Sequence, residues 1–103
     1  TALMVLMLFG NNIGVEGATA LGAALQKNST LMVLDLGGNN IGDEGATALG
    51  EALQRNTSAL TALDFRLNKI GDVGATALGG GLQHNTALTK LCLNSIKFNK
   101  YLF

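Results

Sequence analysis

Gly10-Asn-Asn-Ile-Gly14-Val-Glu-Gly17 runs into a helical pattern, the arrangement in which backbone N–H groups at a helix start can cradle a phosphate. The Lys-Ser/Thr pair of a phosphate loop is absent, however. One period later Asp43-Glu44 occupies the same place and would repel a phosphate. Cys92 offers a thiol and His84 an imidazole, but no His stands where it would match Cys92. One cysteine and one histidine also make a poor metal set. His84 shares a column with Lys27 and Arg55, which fits an exposed helix end, and Cys92 reads as a free thiol. Asn28-Ser-Thr and Asn56-Thr-Ser match the glycosylation sequon, yet both Asn fill recurring positions and nothing else marks secretion. No nucleophile, base and orienting group come together, so no catalytic residue, cofactor site or metal site is expected.

Composition narrows the classes further. The chain has 103 residues, with seven acids against seven bases and hence no net charge. That length allows one small domain, and 48% apolar residues suit a folded one. Charge balance argues against nucleic-acid binding by phosphate neutralisation. No apolar run approaches the roughly 18–20 residues that span a bilayer. The chain opens on Thr1 without a basic leader, and its single cysteine cannot form an internal disulfide. An intracellular, cytoplasmic setting, within a larger complex or alone, is therefore expected.

The elements that carry these residues emerge from self-comparison. A shift of 28 places lays residues 3–30 over 31–58 with 21 of 28 pairs identical. A third copy begins at Leu60, one place late because of an extra residue at Ser58–Ala59, and a partial fourth begins at Leu88. The expected units are 3–30, 31–59, 60–87 and 88–103, one domain over 1–103. Leu6 and Leu8 alternate with Val5, Met7 and Phe9, which is strand spacing. Leu21 and Leu25, with Ala18 and Ala24 beside them, form one stripe of a helix of about three turns. Asn28, Asn56 and Asn85 follow the helices and predict left-handed caps. Glu16, Asp43, Glu44 and Asp72 fall near helix starts, where they complement the dipole. Gly79-Gly80-Gly81 predicts that the third helix is the weakest, at about 0.5–1 kcal/mol per Gly relative to Ala.

Leu3, Leu6, Leu8, Asn11 and Ile13 recur as Leu31, Leu34, Leu36, Asn39 and Ile41, then as Leu60, Leu63, Phe65, Asn68 and Ile70. This pattern, L-x-x-L-x-L-x-x-N-x-I, resembles the leucine-rich repeat. The length and the G-x-x-G-A-x-A-L continuation are similar to the ribonuclease-inhibitor-like subclass, which includes repeat regions of NOD-like receptors and of Ran-type GTPase-activating proteins. The resemblance implies an α/β solenoid, curved, with parallel strands on the concave face and helices on the convex face, about 3.5 repeats long. It names no partner, and it supplies no residue set for GTPase activation. Stacking is required on physical grounds too, since one strand–helix unit cannot bury both its apolar faces. Asn11, Asn39 and Asn68 would satisfy backbone groups where the strands end, and Gly17, Gly45 and Gly74 would let helix and sheet approach.

Between the first two copies the largest changes are Met7 to Asp35, Phe9 to Gly37, Val15 to Asp43 and Ala23 to Glu51. The first two fall on the outward strand face, the last two on the exposed helix face or its approach. A recognition surface on the concave face is therefore expected at Val5, Met7, Phe9, Val33, Asp35, Asp64 and Arg66. Met4 and Met32 flank its apolar end. That apolar end is either a hot spot or the seat of a neighbouring repeat or flanking segment.

The ends invite separate readings. Residues 1–72 hold seven acids and four bases, net −3, whereas Lys90, Lys97 and Lys100 give residues 73–103 a net +3. Ile96 and Phe98 depart from the repeat, and Phe98, Tyr101 and Phe103 make the tail aromatic. Such a tail packs back over an exposed core, the favoured reading, or touches an acidic partner or anionic membrane through Lys97, Phe98 and Tyr101. The chain is expected to be a fragment of a longer solenoid, or to have its ends covered by missing repeats or a partner. Its expected function is non-catalytic binding of another protein on the concave face. The alternative is a structural subunit that fills a seam in a large assembly through its ends and helices.

Overall fold

A computed structural model describes residues 3–55, 60–85 and 88–92. Strands and helices alternate in chain order: β1 (Val5–Met7), α1 (Gly14–Lys27), β2 (Val33–Asp35), α2 (Gly42–Arg55), β3 (Ala62–Asp64), α3 (Asp72–His84) and β4 (Lys90–Cys92). The four strands form one parallel sheet in the order β1-β2-β3-β4. Equivalent residues stand side by side, so that Leu6, Leu34, Leu63 and Leu91 are in register. Short period-2 segments feed helices of 13–14 residues, nearly four turns, and each crossover returns the chain to a neighbouring parallel strand.

The core lies between the sheet and the helices. Leu34, Leu36, Ile41 and Leu63 from the strand side meet Leu49, Leu53 and Leu78 from the helices, all buried. Each such side chain contributes roughly 1.5–3 kcal/mol through its removal from water. Phe65 takes the column of Leu8 and Leu36 and is likewise buried. The helical stripe holds for Leu49, Leu53, Ala46 and Ala52 in α2. In α1 it is incomplete: Ala18 and Leu25 are buried, Leu21 is half-buried and Ala24 is exposed. Ala52, the counterpart of Ala24, packs on Gly22 of the preceding helix. Ala24 has no such neighbour among the described residues.

The asparagine column closes the strand ends. Asn39 Oδ1 accepts from the Asn11 and Ile13 N–H groups at 2.7 and 3.3 Å. Its Nδ2 donates to Leu8, Leu36 and Gly37 carbonyls at 2.8–3.1 Å. Asn68 does the same one repeat on, for Asn39 and Ile41 N–H and for Leu36, Phe65 and Arg66 carbonyls. Both amides are buried, so every lone pair and proton used here replaces a bond to water.

Two local expectations are corrected. Asn28 and Asn85 are extended, with φ −87° and −105°, so neither is a left-handed cap. Their side chains reach forward instead: Asn28 Oδ1 accepts from Thr30 and Leu31 N–H, and Asn85 Oδ1 from Leu88 N–H. Asn56 lies outside the described residues. Left-handed conformations occur instead in the strand–helix loops, among them Gly10, Gly38, Asn12, Asn40, Lys69 and, unusually, Leu67 with φ 61°. Gly17, Gly45 and Gly74 do not serve contact with the sheet. A Cβ at each would strike the Ile four residues earlier, Ile13, Ile41 or Ile70, and at Gly45 and Gly74 it would also crowd Ala18 or Ala46 of the preceding helix. Within the glycine run of α3, Gly81 is used in packing, whereas a Cβ on Gly80 would meet nothing within 4 Å. A Cβ on Gly81 would collide with the Gly50 carbonyl, and one on Gly50 with the Ala77 carbonyl, so α2 and α3 approach backbone to backbone.

Candidate functional site, the open face of the sheet

Helices cover one face of the sheet; over the other, no layer lies among the described residues. Parallel sheets are usually covered on both faces. The register arranges the open face in columns: Val5, Val33, Ala62 and Lys90, beside Met7, Asp35, Asp64 and Cys92. Neighbouring members of a column are about 4.8 Å apart, the spacing of hydrogen-bonded strands. A hollow of about 260 Å³ runs along them, with Met7, Asp35, Asp64 and Lys90 on its walls.

All seven expected surface residues line this face or its rim. Val5, Met7 and Phe9 are 51%, 63% and 56% exposed. Val33, Asp35 and Asp64 are half-buried, and Arg66 is exposed. Met4 and Met32 extend the apolar end. One detail of the strand-face reading fails: Gly37 is buried, although it shares a column with Phe9 and Arg66. The Phe9 ring leans across the strand into the place a Gly37 side chain would take, with Cδ2 only 2.7 Å from that Cβ position.

The two acids of the middle repeats differ in electrostatic state. Asp64 is clamped by Arg66, whose Nε lies 2.9 and 3.0 Å from the two carboxylate oxygens and whose Nη2 lies 2.6 Å from Oδ2. The hydrogen-bonded guanidinium holds the Asp64 carboxyl below its usual range against the opposing effect of burial, and the carboxylate in turn raises Arg66. Asp35 has Gly37 where Asp64 has Arg66. Its Oδ1 accepts from the Gly37 N–H at 2.9 Å, and no described cation pairs with it.

Asp43 was expected only to complement the dipole of its own helix. Its Oδ1 also accepts from Gly71 N–H at 2.7 Å and Gly74 N–H at 3.0 Å, capping the helix of the next repeat. Val15 holds that column in the first repeat and can do nothing of the kind. Nothing in local spacing signals this role, since the partners are backbone groups of another unit.

Elsewhere, His84 is an exposed helix-end residue with Nδ1 3.1 Å from the Gly80 carbonyl, and Cys92 is a half-buried free thiol. Among the described residues no group of His, Cys, Asp and Glu could hold a metal ion. No described helix is long and apolar enough to cross a membrane. Lys97, Phe98 and Tyr101 lie outside the described residues.

Stacked strand–helix units with one shared parallel sheet define a solenoid repeat protein. The chain belongs to the leucine-rich repeat family, whose model, described as "Leucine Rich repeat", matches residues 1–22, 27–50 and 58–79. No curated protein matches the sequence. Among solved structures it is similar to one titled "Leiomodin-1 Actin-Binding Site 2 (ABS2)", with a TM-score of 0.81 and 23% identity, over 95% of this chain and 54% of that one. The chain thus spans about half the length of that structure, and at this identity the likeness is one of fold.

Proposed function

We propose that the chain is a non-catalytic module that grips another protein on the open, concave face of its sheet. The observation that carries this reading is Val5, Met7 and Phe9, three large apolar side chains each more than half exposed on a sheet face over which no layer lies among the described residues. An apolar cluster rimmed by charged Asp35, Asp64 and Arg66 has the anatomy of a binding hot spot. Helices of nearly four turns in the first three repeats support the ribonuclease-inhibitor-like subclass. The module is read as one domain over residues 1–103, part of a longer solenoid, working inside the cell. An actin-binding site of the same fold makes actin a first protein to offer it.

The second reading, a subunit that fills a seam in a large assembly, draws on the open side of the first repeat. Leu3, Leu6, Leu21, Ala24, Leu25 and Leu31 line a shallow apolar groove of about 140 Å³ there. The test compares wild type with a Met7→Ser/Phe9→Ser double variant in affinity capture from cell extract, quantified by mass spectrometry. Proteins lost with the double variant, at an unchanged melting temperature, support the concave-face reading. Retention by that variant together with loss on Lys97→Ala/Phe98→Ser/Tyr101→Ser overturns it in favour of the ends.

A further inference from the structure

Resting on the concave-face reading, we infer that the hollow takes an extended, dipolar segment of the partner: a base over Asp35, an acid over Lys90 and a large apolar side chain between them on Ala62. Asp35, Asp64, Arg66 and Lys90 all line the hollow, and their charges balance. Two of them are spent on each other, since Arg66 Nε and Nη2 hold both oxygens of Asp64. Asp35 is the least of the influences on that guanidinium. The remaining acid and the remaining base have no ion-pair partner among the described residues.

Asp35 and Lys90 stand too far apart to satisfy one another. The register puts Asp35 on β2 and Lys90 on β4, in different columns. Two strand spacings across the sheet and two residues along it separate them by about 12 Å. That exceeds the roughly 8 Å over which charges in water act at physiological salt. The complement of this pair is therefore a dipole, not a net charge of either sign. Ala62 lies between Val33 and Lys90 and is the smallest side chain of its column, which leaves room above it for an apolar group. Volume decides the conformation. One helical turn fills ~400 Å³, at about 10 Å across and 5.4 Å high. The hollow holds about 260 Å³. An extended segment inserts only alternate side chains, and its residues i, i+2 and i+4 share a face over about 13 Å, which matches the separation of the two charges. The segment thus reads base-x-apolar-x-acid, or the same three in reverse.

The experiment is selection of a random-peptide display library against the intact chain, with parallel selections against Asp35→Lys and Lys90→Glu. The peptides recovered on wild type are then measured on Asp35→Asn, Lys90→Gln and Met7→Ser. Asparagine keeps an oxygen for the Gly37 N–H and Lys90 is exposed, so both neutral variants retain the fold. The expected result on wild type is enrichment of a base and an acid four residues apart with a large apolar residue midway. Binding of those peptides weakens about tenfold in Asp35→Asn, whose carboxylate is half-buried, and about threefold in Lys90→Gln. Two acids replace the pair on Asp35→Lys, and two bases replace it on Lys90→Glu. Peptides that carry one sign of charge alone, or none, and that fail on Met7→Ser overturn the dipolar segment and leave the concave face as the binding surface. Peptides indifferent to all three measured variants, or no enrichment at all, overturn both.

Discussion

Asp43 spends one carboxylate oxygen on two N–H groups that belong to the following repeat. Its replacement by Ala should cost about 1 kcal/mol, the typical value of a lost helix cap, and urea denaturation would show it as a lowered midpoint. Asn39 carries more, because its removal strands backbone donors and acceptors on two repeats at once. Asn39→Ala should destabilise by about 3 kcal/mol or more, the sum of several unmet buried groups, or leave the chain unfolded by circular dichroism. Leu67 works in the other direction. It holds a left-handed conformation where the first two repeats have Gly10 and Gly38, and a side chain there costs about 1–2 kcal/mol. Leu67→Gly should raise the thermal midpoint despite the entropy cost of glycine. Asp64 sets an acid response: its folded carboxyl titrates below the usual 3.8, so its stabilisation is present above that value and is lost as pH falls through the folded one. Asp64→Asn should flatten the acid limb of the stability profile below about pH 4.

At the scale of elements, the repeated strand and helix were legible because identical inward residues recur in copies that differ outside. Leu34, Leu36 and Ile41 announce the same core as their counterparts one period away. What stayed hidden depends on contacts across repeats. Gly37 is buried by the Phe9 ring of its neighbour, and the Asn28 and Asn85 side chains bond forward to the segment that leads into the next strand instead of turning the backbone left-handed. Of the candidate site, its members could be read from alternation along β1 to β3, but the unequal pairing of Asp35 and Asp64 could not. That difference follows from side-chain reach between Asp64 and Arg66. The helices carry a matching prediction. Gly50→Ala drives a methyl into the Ala77 backbone and should destabilise by about 2 kcal/mol, whereas at Gly22 the nearest atom is 3.2 Å away and Ala should be close to neutral after its gain in helix propensity.

Across the whole molecule, burial rises from the first repeat to the second. α1 buries Ala18, Gly22 and Leu25, while α2 buries Gly45, Ala46, Leu49, Gly50, Ala52 and Leu53. α3 keeps Gly74, Ala75, Leu78, Gly79 and Gly81 buried in spite of its glycines. Hydrogen exchange should therefore be fastest in α1 and slowest in α2, with α3 between them. Exchange fastest in α3 would restore the plain propensity argument against its glycine run.

The asparagine bonds also give the stack a grain. Asn39 serves Leu8, Asn11 and Ile13, and Asn68 serves Leu36, Asn39 and Ile41, so each amide completes the unit before it. Removal of the first unit takes away only recipients and leaves the remaining amides to face water, as Asn11 does, whereas removal of the second as well also takes the Asp43 cap from α3. Shortening from the back takes away providers and strands the loop in front of the cut. Deletions of equal size are thus unequal events, and a gene of this kind can shed its first unit more safely than its last.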